Sequence, residues 1–172
     1  MAHLPKAEVD ICHDVIVILW PAAGHRSLYV FLLHPQLASD SIYIGQFELS
    51  QLLLMNDSQF PWFILVPRRA EVTEVFQLDQ ADRDQLMRES CWLAEALMEG
   101  FAADKINVAA LGNMVSQLHV HHIARYRDDP AWPAPVWGRL PAVAYTEKQL
   151  AECVARLQRV LTSNLVYAEQ FQ

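Results

Sequence analysis

Leu111-Gly112-Asn113-Met114-Val115-Ser116-Gln117-Leu118-His119-Val120-His121-His122-Ile123-Ala124-Arg125 is the stretch on which the reading of this chain turns. Three of the seven histidines fall in it, within four positions. Polar and apolar residues alternate, as in a β-strand with two unlike faces. That alternation puts Gln117, His119 and His121 on one face and Leu118, Val120 and His122 on the other. Apolar packing does not require a row of proton-bearing side chains. A functional site is therefore expected here.

Working outward, Lys105 to Ala110 reads as a strand and Gly112-Asn113 as a turn, with Val115 to Arg125 as the hairpin partner. Upstream, Asp79 is a good N-cap for a helix that begins Gln80-Ala81-Asp82. Leu86, Leu93 and Leu97, with Met87, Ser90 and Ala94 beside them, predict its apolar face, and Gly100 lies near its end. Earlier still, Ile42-Tyr43-Ile44, Leu49 to Met55 and Trp62 to Pro67 read as short strands. Gly45 is a candidate turn, and Asn56-Asp57-Ser58 carries turn chemistry. Short strands joined by short turns indicate an antiparallel sheet.

The ends are less regular. Val15 to Leu19 is a β-branched run between a polar start and Pro21-Ala22-Ala23-Gly24. It fits either an added strand or an extension. Leu28 to Leu33 is apolar throughout and stops at His34-Pro35. After the histidines, Arg127 to Gly138 is rich in Pro and Trp. Two tryptophans favour a loop laid over a surface rather than a solvated linker. Thr146-Glu147-Lys148-Gln149 is a capping box, and Leu150, Val154, Leu157 and Leu161 form a helical stripe behind it.

The bulk numbers fit one globular α+β domain: 172 residues, 53% apolar and 19% charged. A net charge of −7 without a Lys/Arg stripe argues against nucleic acid as partner. A nucleotide-sized ligand needs only a local site. Cys12, Cys91 and Cys153 show no metal-ligand spacing. No secretory leader pattern is read at Met1, and Val15 to Trp20 is too short to cross a bilayer. The expectation is a cytoplasmic protein with reduced thiols and no membrane partner.

Three chemistries fit the histidine row. His119 and His121 can ligate zinc, but no nearby Cys or Glu supplies further ligands at a familiar spacing. They can be hydrogen-bonded strand histidines. Or one can attack an electrophile while its neighbours steady the charge.

The motif resembles that of the histidine triad (HIT) superfamily of nucleotide hydrolases and transferases, which is His-φ-His-φ-His-φ-φ with φ apolar. Here Gly112-Asn113-Met114-Val115 matches the turn before it, and Gln117-Leu118-His119-Val120-His121 matches the triad with Gln in the first slot. Arg125 falls at the expected distance, and Ile64-Leu65-Val66-Pro67-Arg68 is similar to an earlier family strand. The similarity runs from about Leu37 to about Tyr126. Asp129-Pro130-Ala131-Trp132-Pro133-Ala134-Pro135-Val136-Trp137-Gly138 also looks like a bacterial branch of this superfamily.

The resemblance implies a HIT-like fold, with an antiparallel sheet of five or more strands and two main helices, often a homodimer. It divides the chain into an extension over 1–36, a catalytic core over 37–126, and a Trp/Pro loop with a C-terminal helix over 127–172. It implies hydrolysis or transfer at the α-phosphate of a nucleotide or nucleotide conjugate, of the nucleoside phosphoramidate or dinucleoside polyphosphate type. His119 is then the nucleophile, His121 the phosphate-contacting member and Gln117 an amide donor. No cofactor or metal is required. A rival register makes His119 first and His121 the nucleophile, but it loses the phase of Arg125. Asn56, Asp57, Asn107, Asn113 and Arg125 are the implied nucleotide-binding residues. Met114 stands where the family has a Ser or Thr. Loss of that hydroxyl and of the first-slot His leaves a non-catalytic nucleotide-binding or sensing module as the alternative. A His-based metal-binding protein is the other.

Overall fold

The computed structural model describes residues 31–172 and, before them, the backbone of two short antiparallel strands, β1 (Ile11–Cys12) and β2 (Val15–Ile16). The β-branched run, read as either an added strand or an extension, contributes Val15 and Ile16 to β2; Val17 to Leu19, like Leu28 to Val30, lie outside the described residues. The main body follows as α1 (Pro35–Asp40), β3 (Ser41–Gln46), β4 (Ser50–Met55), β5 (Trp62–Pro67), α2 (Gln80–Phe101), β6 (Lys105–Ala109), β7 (Val120–Arg125), α3 (Glu147–Val160) and β8 (Val166–Tyr167). Strands β3 to β8 form one antiparallel sheet in the order β6-β7-β5-β4-β3-β8. The fold is thus α+β, as the strand pattern predicts. Among the described residues no helix is long and apolar enough to cross a membrane.

The two faces of the sheet are covered differently. Ile44, Leu52, Leu54, Phe63, Leu65, Val120 and Ala124 face α2 and α3, meeting Leu86, Leu93, Leu97 and Leu157. Leu53, Trp62, Ile64, Val66 and Ile123 face the other way, under Phe31, Leu37, Val115, Ala131 and Val136. Strand β5 is therefore buried on both faces, and each such large apolar side chain contributes about 1.5–3 kcal/mol of burial free energy. The Pro- and Trp-rich segment is a loop laid over the second face, since Ala131 and Val136 are buried in it.

Local signals explain the helices. The Asp79 carboxylate accepts from the Asp82 N–H (2.8 Å), and Ala102 ends α2 in the left-handed region at φ 51°. Thr146 and Gln149 form the reciprocal capping box of α3. Met87 does not join the apolar face of α2. It is 64% exposed, while Glu89 is fully buried in that region. The Glu89 carboxylate accepts from the N–H groups of Leu49 (2.7 Å) and Ser50 (3.1 Å), so a charged residue ties α2 to the β3–β4 connection.

His34-Pro35 starts a helix, and two expectations change after it. Pro suits the first helical position, and His34 Nδ1 accepts from the Gln36 N–H (3.1 Å). Gly45 lies inside β3, not in a turn. A Cβ there would sit 2.3 Å from the Val166 carbonyl oxygen, so glycine is what lets β8 pair with β3. The histidine strand begins at Val120, not Val115, because residues 110–119 form a long loop. Pairing with β6 ends at Ala109↔His121.

Candidate active site

The loop change moves Gln117 and His119 off the strand yet leaves the two histidines together. The His119 and His121 ring centroids are 4.8 Å apart and nearly perpendicular. Both rings line a cavity of about 300 Å3 on the face away from α2, within the range of small-ligand sites. Trp62, Ile64 and Trp137 supply apolar wall, and Asp40 and Asn113 supply polar atoms.

The tautomers follow from the partners. His119 Nδ1 lies 2.7 Å from the Gln117 carbonyl oxygen. A carbonyl only accepts, so Nδ1 carries a proton, and in the neutral ring the lone pair is on Nε2. His121 is set the other way. The Trp62 indole Nε1–H donates to His121 Nδ1 (2.9 Å). An indole only donates, so the neutral His121 ring carries its proton on Nε2. The site thus pairs one imidazole with a free lone pair and one with a free N–H. Burial, with His119 and His122 nearby, pushes His121 down to about 3. His121 is therefore uncharged at neutral pH.

His122 lies on the opposite face, as the alternation predicts. Its Nε2 meets Ser90 Oγ (2.7 Å) and its Nδ1 donates to the Val120 carbonyl (3.2 Å). Burial lowers it to about 4. Both ring nitrogens are engaged and none faces the cavity.

The other candidates divide. Asn113 lines the cavity, and so does Met114, although Met114 is 95% exposed. Gln117 does not line it. Its carboxamide accepts from the His34 N–H (2.8 Å) and donates to the Leu32 carbonyl (2.8 Å), fastening the arm before α1. Asn56 Oδ1 accepts from the Tyr145 N–H, and buried Asp57 accepts from the N–H groups of Val143 and Gln59. Asn107 and Arg125 meet each other instead of the histidines. Arg125 is 1% exposed, pairs with Asp129 (2.7 Å) and donates to Asn107 Oδ1 (2.7 Å) and the Ala134 carbonyl (2.9 Å). This node anchors the Trp/Pro loop to β7.

Trp62 and Asp40 are cavity residues that the sequence did not mark: Trp62 reads only as part of a strand, and Asp40 carries no signal. Asp40 now lines the cavity with both carboxylate oxygens accepting from Gln36 Nε2 (2.8 Å each). An apolar-looking strand that opens with Trp opposite a histidine pair was the available signal for the first. For the second there was none without α1.

A larger hollow, about 480 Å3, lies beside α3 and is lined by Tyr145, Cys153, Arg156 and Arg159 among others. Its potential nucleophiles are held protonated: burial pushes the Cys153 thiol up to about 11 and raises Tyr145. The smaller cavity is the one that holds the histidine pair. Among the described residues, no group of three His, Cys, Asp or Glu is arranged to hold a metal ion.

The HIT domain family matches residues 36–128. Among solved structures, the chain is 51% identical to a histidine triad protein from Marinobacter aquaeolei, with a TM-score of 0.76 over 78% of this chain and 98% of that one. It is 46% identical to a histidine triad (HIT) protein from Sinorhizobium meliloti (TM-score 0.75; 76% and 97% covered). It is 43% identical to a histidine triad protein from Bradyrhizobium japonicum (TM-score 0.74; 76% and 97% covered). No curated protein matches the chain. The family match covers both histidines and the cavity lining except Trp137, and the chain belongs to the histidine triad (HIT) family.

Proposed function

We propose that the chain hydrolyses or transfers nucleotides at the α-phosphate through a nucleotidyl-His119 intermediate. The observation that carries this reading is the 2.7 Å contact from His119 Nδ1 to the Gln117 carbonyl, which leaves Nε2 as a nucleophile beside a cavity. Attack by that lone pair forms an N–P bond as the bond to the leaving group breaks. His121 Nε2–H donates to a phosphoryl oxygen, and water then attacks phosphorus and releases the nucleotide. A placed donor of this kind is worth about 3–4 kcal/mol in the transition state. The apolar wall accepts a nucleoside. Asp40 is the carboxylate of that wall for paired ribose hydroxyls, since Asp57 does not line the cavity. A homodimer is part of this reading, supported by β6, an edge strand on which Val108 is 51% exposed. No cofactor enters any step.

The test is trapping. Incubation with a labelled dinucleoside polyphosphate or aminoacyl-adenylate, an acid-free quench and peptide mapping should find the nucleotide on His119. His119→Ala should abolish the adduct and lower turnover by roughly a thousandfold or more, with an unchanged circular dichroism spectrum. An adduct on His121 refutes the register. Tight binding without any adduct selects a nucleotide-sensing module. That reading is favoured by one observation: the first-slot side chain, Gln117, is fully engaged by the arm at residues 32–34.

A further inference from the structure

The hollow of about 480 Å3 beside α3 has a lining that packing alone does not ask for. Gln149, Glu152, Arg156 and Arg159 line it from the helix. Steps of three, four and three residues set them in one row along α3, beside the apolar stripe that holds the helix to the core. Pro61, Phe101, Tyr145 and Ala155 make the rest of the lining largely apolar. Phe101 and Cys153 belong to the core on the helical face of the sheet, whereas the histidine cavity lies on the other face, with Leu37 and Trp62. The two hollows are therefore separate.

Charge in this hollow is unbalanced. The described ion pairs take up Arg69, Arg125, Arg127 and Lys148, so neither Arg156 nor Arg159 has a carboxylate partner among the described residues. Glu152, the carboxylate of the lining, meets Lys148 instead (3.9 Å). A cation in the last turn suits the helix dipole, which accounts for Arg159 but not for Arg156 before it. Arg156 is held in place all the same. Its guanidinium carbon stands 5.2 Å from the centre of the Phe101 ring. That contact uses the charge of the group and none of its N–H donors. Gln149 Oε1 accepts from the Thr146 N–H (3.0 Å), which leaves the amide N–H groups of Gln149 uncommitted. Burial keeps the Cys153 thiol and the Tyr145 hydroxyl protonated, so this lining binds rather than reacts.

The geometry points to a second ligand site in this hollow, one that takes a small phosphate monoester with a flat apolar body. The body lies against Pro61, Phe101 and Tyr145. The phosphate meets the Arg156 and Arg159 guanidiniums, and the Gln149 amide is a further donor. A dianion matches two cations that lack a partner, and the planar guanidinium fork suits phosphate oxygens taken in pairs. No bond is made or broken here, and the site does not depend on the nucleotidyl-histidine reading above.

Phenyl phosphate is the probe, titrated into the 15N-labelled full chain well above the second phosphate pKa of about 6. The Arg156 and Arg159 Nε–H signals and the Ser58 and Tyr145 amides should shift together and saturate with one Kd. Any binding in the histidine cavity is read apart from this, on the Trp62 and Trp137 indole N–H signals. Benzyl alcohol lacks the charge and inorganic phosphate lacks the ring, so each should bind here about tenfold or more weaker; benzoate, a monoanion, should be several-fold weaker. Arg156→Gln and Arg159→Gln should each weaken phenyl phosphate about tenfold with an unchanged circular dichroism spectrum, since both side chains are exposed. Arg156→Lys keeps the charge but loses the fork and should recover only part of the affinity. Silence of the arginine signals overturns the site. So does equal binding of benzoate, benzyl alcohol or inorganic phosphate, or an unchanged Kd in both glutamine variants. Adduct formation on His119 is measured separately and is untouched by any of these outcomes.

Discussion

His121 and His122 are adjacent, equally hidden from solvent and both held neutral, yet they do different work. His121 meets one partner, the Trp62 indole, and keeps its second nitrogen toward open space. His122 meets two, Ser90 and the Val120 carbonyl, and keeps nothing. Burial and depressed basicity therefore do not distinguish a reactive ring from a packing one. What distinguishes them is an uncommitted nitrogen with room in front of it. The same contrast separates His119 from Arg125, whose charge and motif position invite a binding role but whose guanidinium is closed off by Asp129, Asn107 and Ala134.

The largest test of the contrast is acid. Both rings are neutral when folded, at about 3 and about 4, and ordinary when unfolded. Between those values and about 6.5 the unfolded chain binds the extra protons, so stability is full above that pH and falls as pH drops. From pH 7.5 to pH 5 each ring should cost about 2 kcal/mol, about 4 in all, measurable by urea unfolding at each pH. If the two rings differ in burial despite their similar exposure, His122→Phe will remove less or more than half of that slope.

Arg125→Ala should come next, at about 3 kcal/mol, because it leaves Asp129 buried without its partner. The folded variant should still form the His119 adduct, with its nucleotide affinity changed far less than its stability. A selective loss of affinity would return Arg125 to the ligand. The smallest effect should be Ser90→Ala, about 1 kcal/mol for one lost side-chain hydrogen bond, with kcat/KM held within about twofold. A large drop in kcat/KM would show that the two faces of β7 are coupled.

The sequence was readable where short-range signals decide. Caps at Asp79 and Thr146, the two-sided apolar run of β5 and the opposite facing of His122 all depend on neighbours within a few residues. It was unreadable where partners come from afar. The Gln117 carboxamide is claimed by residues 83 and 85 positions away, and no periodicity encodes that. The Trp62 indole finds its histidine 59 positions on, across a sheet pairing that exists only after folding. Strand register sets Asn107 opposite Ile123 and Arg125 opposite Lys105, and the contact between the Asn107 and Arg125 side chains keeps both off the cavity wall. Gly45 read as a turn because only the arrival of β8 explains it.

Gln117 has one more consequence. Its peptide oxygen fixes which imidazole nitrogen of His119 is bare, while its side chain moors the arm that leads into α1. Floor and wall of the cavity hang from a single residue. Slackening the mooring would also swing the oxygen away from the ring, so reactivity and enclosure are gained or forfeited together.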